Sequence, residues 1–174
     1  MTLLLPRCAL VLMAAVFLSS CGGVSNRSSN RAAENATSVQ VLRAVNRERE
    51  QRGLGQLVPD AGLRELAGQH ASYLTRAVDP TRGKPTSAMA HANFRSRAKK
   101  GEAAGYRVVS EVVMIGSEGD LSAVARRTVT GWLSSPSHRA AMLHKDRRVM
   151  GVGTRLPVDR RYFVVGILSN GRAW

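Results

Sequence analysis

Three runs constrain this chain more than anything else in it. Residues 106–115, 149–156 and 162–168 read as β-strands whose two alternating faces are both largely apolar. Such a strand cannot leave either face in water, so the sheet has to be covered on both sides. The covering segments are helical. Val39, Leu42 and Val45 recur at helical spacing until Gly53 stops them. Pro59-Asp60 opens a second helix with Leu63, Leu66, Ala67, Ala71 and Leu74 on one face. A third opens at Met89-Ala90-His91 and runs through Phe94, Arg97 and Ala98 to Gly105. A fourth, capped by Asp120 or Ser122, carries Leu121, Val124, Val129, Trp132 and Leu133. Pro80, Gly83 and Pro85 mark a loop, and residues 157–160 a hairpin-like turn. The expected class is α+β: a three-layer α-β-α sandwich around a small, mostly antiparallel three-stranded sheet.

Four residues within this frame bear on chemistry. Ser135 suits an N-cap and Pro136 the first helical position, which places His138 in the first turn of a new helix. The positive helix end there disfavours imidazolium, so the ring is biased toward a neutral form that accepts a proton or binds a metal. An ordinary surface histidine at a helix start fits the same local pattern. Glu111 sits mid-strand among valines. It is either a buried carboxylate that needs a donor, cation or metal, or an edge-strand side chain facing water. His70 lies on the apolar face of the second helix, as a hydrogen-bonded core residue or the lining of a pocket. His144, beside Lys145-Asp146-Arg147-Arg148, reads as solvated surface.

The N-terminus sets the compartment. Arg7 precedes an apolar run, residues 8–18, too short to span a bilayer. It ends Leu18-Ser19-Ser20-Cys21-Gly22, which resembles a bacterial lipobox with Cys21 as the lipidated residue. A plain secretory signal cut near the same place is the alternative. The expected organisation is a signal peptide over 1–20, a lipid-anchored flexible linker rich in Ser, Asn and Arg over 21–37, and a folded domain over 38–174. Gly22 after Cys21 points to the outer membrane, facing the periplasm, in a diderm host. The chain has only two cysteines, Cys8 and Cys21, so the mature domain has no disulfide to rely on. The formal net charge of +14 favours anionic partners. Export and an aromatic content of 5% argue against nucleic acid and leave acidic lipid or wall polymers.

Taken in order, these pieces resemble the CAP superfamily (cysteine-rich secretory proteins, antigen 5 and pathogenesis-related proteins) in its bacterial form. The likeness rests on Asn46 and Arg49 with Gly53-Leu54 and Leu57; on Leu63, Ala67, His70 and Ala71; and on His91, Arg97 and Gly105-Tyr106. It continues through Glu111, Trp132, Ser135-Pro136-Ser137-His138-Arg139 and Leu143 to Gly151-Val152-Gly153. The resemblance implies a central cleft built by His91, Glu111 and His138, able to hold a divalent ion such as zinc. Ser110 and Val112 replace the glycine and asparagine that flank the glutamate in the family motif. The second acidic residue of the fuller set has no clear counterpart, Ser135 lying about where it would fall.

The resemblance further implies a non-enzymatic module that binds an apolar or anionic ligand, or a wall component, outside the cytoplasm. The competing reading is a metal-assisted hydrolase of peptide or cell-wall substrates, with Glu111 as base. No serine or cysteine nucleophile with a convincing partner is evident.

Overall fold

A computed structural model describes residues 22–79, 85–117, 120–157 and 159–173. The expected signal peptide, residues 1–20, and Cys21 lie outside the described residues. The sandwich is present, and its sheet is a four-stranded one of order β1-β3-β4-β2, formed by β1 (Val58–Pro59), β2 (Ser110–Ser117), β3 (Val149–Arg155) and β4 (Arg161–Ser169). β4 pairs antiparallel with both β2 and β3, and β1 runs parallel to β3. The added strand β1 is only two residues long, held by Val58 N donating to the Arg148 carbonyl at 2.9 Å. A strand that short has no periodicity to read.

Alternation along the strands splits the interior into two cores. Val112, Met150, Val152 and Val164 pack with Val41, Val45 and Trp132 on one face. Val113, Phe163, Val165 and Ile167 pack with Leu63, Ala67 and Leu74 on the other. The first face is covered by α1 (Gly22–Glu50), α5 (Val124–Ser134) and α6 (Pro136–Met142), and the second chiefly by α2 (Ala61–Ala77). Asp60 caps α2, its carboxylate accepting from Leu63 N at 2.9 Å. Burying Leu63 and Leu74 contributes about 1.5–3 kcal/mol each.

The Gly151-Val152-Gly153 run has a steric cause. A Cβ on Gly151 would meet Arg64 N at 2.0 Å, and one on Gly153 would meet Gly68 N at 2.3 Å. The backbone of α2 therefore lies directly on β3, and only glycine permits that approach.

Three segments differ from the sequence reading. The first helix does not start near Ser38 after a flexible linker: α1 is continuous from Gly22. Its upstream part is pinned by tertiary contacts, Glu34 Oε1 accepting from Leu156 N at 3.1 Å and Ser38 Oγ donating to Thr154 Oγ1 at 2.9 Å. Such contacts override the weak helix propensity of Ser and Asn. The expected single helix through residues 89–105 is two, α3 (Ser87–Ala90) and α4 (Phe94–Ala103), separated where Asn93 takes a φ of 59°. The first long strand begins at Ser110. Tyr106 forms only an isolated bridge with Arg172, and Val108, at a φ of 51°, breaks the extended run between them.

Candidate functional site

β2 is an edge strand with β4 as its sole neighbour, so the two helical layers meet around its free side. His91 and His138 arrive there from opposite layers. His91 terminates α3 as its C-cap, on the turn made by the break before α4, rather than opening a helix. His138 stands in the first turn of α6, behind Pro136. Ser135 takes the N-cap backbone position, but its hydroxyl caps nothing and lies 3.3 Å from Ser137 Oγ. Among the described residues it hydrogen-bonds none of the cleft side chains.

Glu111 projects from β2 onto the α2 face, and only 1% of its side chain is exposed. The strand is at the sheet edge, as the second alternative had it, but the side chain does not face solvent. Its compensating charge is Arg97 on α4. The guanidinium grips the carboxylate with both arms, Nε to Oε2 at 2.7 Å and Nη2 to Oε1 at 2.8 Å, while Nη1 donates to the Ala92 carbonyl at 2.6 Å. His91 Nδ1–H donates to Oε1 at 3.0 Å. Burial drives the Glu111 carboxyl upward, but the His91 and Arg97 hydrogen bonds and the Arg97 and His70 charges outweigh it and hold the carboxyl below its ordinary value. It is a fixed anion.

That anion sets the tautomer of His91. With Nδ1 donating to Glu111, Nε2 presents its lone pair outward, 3.2 Å from His138 Nε2. The rings are tilted by 51° with centroids 5.4 Å apart. Burial, then the charge of His91, lowers the His138 pKa against the opposing pull of Glu111, so this ring is kept neutral. His91 is 26% exposed, which leaves the pair open to solvent.

His70 is the hydrogen-bonded core residue of its two readings. It is buried, with Nε2–H donating to the Ala90 carbonyl at 2.8 Å, and its ring stacks on Tyr73. It also stands 3.9 Å from Glu111 Oε1, directly behind the cleft. Burial lowers its pKa despite the Ala90 bond and the Glu111 charge, and the Arg97 and His91 charges add to that lowering. Its Nδ1 is buried without a partner, as befits a neutral ring.

The residue that sequence reasoning misplaced is Arg97. Grouped with Arg95, Lys99 and Lys100, it looks like part of a basic surface, yet it is taken up by Glu111. Two signals pointed to it: its place in the family resemblance, and the cost of burying Glu111, which demanded a cation without naming it. His144 is half-exposed and solvated as expected. Arg49 and Asn46 belong to the fold rather than the cleft. Asn46 hydrogen-bonds the Leu57 carbonyl and amide at 3.0 and 2.8 Å, and Arg49 binds backbone carbonyls around the end of α6.

The family model for CAP, the cysteine-rich secretory protein family, matches residues 42–167, which includes every one of these cleft residues. The chain belongs to the CAP family. Solved structures share its fold. An outer surface protein from Borrelia burgdorferi is 22% identical over 76% of this chain and 90% of that one, with a TM-score of 0.56. An extracellular protein containing an SCP domain from Bacillus anthracis is 23% identical at a TM-score of 0.55; the match covers 80% of this CAP chain but only 43% of that protein. NaASP2, solved with Zn2+, is 12% identical over 69% of this chain and 64% of that one, at a TM-score of only 0.44. No curated protein sequence matches the chain.

Proposed function

We propose that this CAP chain is an exported, lipid-anchored binding module of a bacterial envelope, whose His91–Glu111–His138 cleft receives an apolar or anionic ligand or a wall component. The observation that carries a binding role over catalysis is the engagement of Glu111. Both of its oxygens are held by Arg97, one of them also by His91, and its carboxyl is held below the ordinary range. A general base needs a pKa near the working pH and a free lone pair aimed at substrate. Glu111 has neither, and serves instead to orient His91. The cleft offers a ligand two imidazoles, that of His138 kept neutral by burial, at a wall where Arg97 balances Glu111.

One observation favours the second reading, a metal-assisted hydrolase. Two nitrogens bound to one tetrahedral zinc at 2.0–2.1 Å stand roughly 3.3–3.4 Å apart, and His91 Nε2 and His138 Nε2 are 3.2 Å apart. The residues fit zinc as a pair: His91 and His138 would hold it, and Glu111 would brace His91 through Nδ1. Among the described residues no group of three His, Cys, Asp or Glu side chains could hold a metal. Bound there, zinc would supply Lewis acidity. His91 would keep its tautomer through Glu111, and Arg97 would keep Glu111 ionised.

Thermal melts and turnover assays on the full chain separate the readings. Zinc is expected to raise the melting temperature of the wild type by mass action and not that of His138→Ala, with no turnover of peptide or murein in either protein. Zinc-dependent hydrolysis lost in His138→Ala would replace the binding reading with the hydrolase. Cys21→Ser is expected to abolish lipid labelling and release the chain from membranes; undiminished membrane association would remove the anchor from the proposal.

A further inference from the structure

A concave site lies on the other flank of the sheet, two strands away from the histidine pair. β1 pairs with β3 only at Val149 and Met150, so past Gly151 the outer side of β3 has no strand beside it. There α1 and α2 form the walls of a groove of about 1000 Å³, with residues 152–155 of β3 at its base. Arg31, Arg64, Arg76 and Arg155 line it, against Glu34 and Glu65.

Both glutamates are engaged locally. Glu34 accepts from Leu156 N and lies 3.5 Å from Arg155, and Glu65 accepts from Gln69 Nε2 at 3.3 Å. Arg31, Arg64 and Arg76 make no ion pair or side-chain hydrogen bond among the described residues. Glu65 keeps its charge, since the Gln69 amide is neutral, but four guanidiniums against two carboxylates still leave the groove a net charge of +2 in a concave setting, where field lines concentrate.

The shape of the groove narrows the ligand. Arg64, Gly68, Ser72 and Arg76 follow each other at four-residue steps on α2. The two end arginines are therefore about 18 Å apart along the helix axis, too far for one anionic group to reach both. Gly68 and Ser72 keep the span between them low, and Asn30, Asn35 and Gln69 border it with amides. No aromatic ring lines the groove, so it has no platform for nucleobases. Val152 and Ala61 are its only sizeable apolar contributions, so it offers no channel for an acyl chain. Guanidinium forks spaced along a run of amides suit a chain of sugars that carries carboxylate or phosphate at intervals.

We infer that the groove between α1 and α2 is a binding site for an extended anionic glycan, separate from the histidine cleft. Calorimetric titration of the full chain with a short oligogalacturonate tests it. Saturable binding is expected. Arg64→Ala/Arg76→Ala should weaken it by about tenfold or more. Gly68→Asp should do the same, since a side chain there has room to fold, its nearest neighbour being Arg155 Nη2 at 3.9 Å. The charge-matched Arg95→Ala/Lys99→Ala should weaken binding less than about threefold. Equal losses in the two double variants would overturn the inference, as would equal binding of an uncharged glucose oligomer. Groove-dependent binding of a DNA oligomer or of phosphatidylglycerol vesicles in preference to the glycan would overturn it too.

Discussion

Two buried charges in this CAP domain, Glu111 and Arg49, are held in opposite ways. At the β2 edge, Glu111 meets a counter-charge, Arg97, and then uses its remaining capacity on His91. At the far end of α1, Arg49 is fully buried and meets no carboxylate. Its Nε donates to the Gly55 carbonyl at 2.8 Å, Nη1 to those of Met142 and His144 at 2.8 and 3.1 Å, and Nη2 to that of Arg147 at 3.3 Å. Burial lowers its pKa, and the nearby Arg148 and Arg147 charges add to the lowering. Carbonyls near the C-terminal end of α6 carry partial negative charge, so they can stand in for an anion. The carbonyl cage presents nothing outward: it ties α1 to the turn after α6. The ion pair leaves an oriented imidazole facing solvent. One arrangement is structural and the other builds a site.

The largest effect should come from breaking the cage. Arg49→Ala leaves four carbonyls short of a donor and opens a cavity, for an expected loss of about 3–5 kcal/mol in chemical denaturation. Arg49→Met keeps most of the volume, so it should recover only the packing share. If the two variants are equally destabilised, the cage matters through its hydrogen bonds alone.

Next comes the pair. Glu111→Gln strands Arg97 and should cost about 3 kcal/mol, the lower part of the range for breaking a buried pair. Adding Arg97→Met should restore part of that loss, and strict additivity in the cycle would refute direct coupling. Acid should expose the same pairing. A carboxyl with a depressed folded pKa contributes stability above its ordinary value and loses it as pH falls through the folded one. The depressed pKa values of His70 and His138 act in the same direction, starting where a free imidazole titrates, near 6.5. The wild type should therefore weaken progressively below neutral pH, and Glu111→Gln should remove only the most acidic part of that slope.

The smallest effect sharpens how β2 is aimed. Val108 is β-branched, 58% exposed and at a φ of 51°, and its carbonyl accepts from Arg147 Nη1 at 3.1 Å. The left-handed region costs such a residue roughly 1–2 kcal/mol. Val108→Gly relieves it against the greater flexibility of unfolded glycine, for a net gain of about 0.5–1 kcal/mol in a thermal melt. A loss would show that the valine side chain, and not the backbone turn, directs the strand.

Much of this protein was legible in its sequence, for local reasons. Strands apolar on both faces required two helical layers, and Asp60 marked the start of α2. Pro136 fixed the register that puts His138 in the first turn of α6. All are properties of a few adjacent residues, where backbone preference and periodicity act. What tertiary structure alone decided lies between distant segments. The carboxylate of Glu111 required a cation, but packing chose Arg97 over its neighbours Arg95, Lys99 and Lys100. The helical break at Asn93 turned His91 toward Glu111. Contacts of Glu34 and Ser38 with Thr154, Arg155 and Leu156 anchor a helix whose upstream part has the composition of a linker. The pairing of β1 was too short to leave a pattern. A buried charge states only that it needs a partner; which one it meets depends on how the helices settle on the sheet.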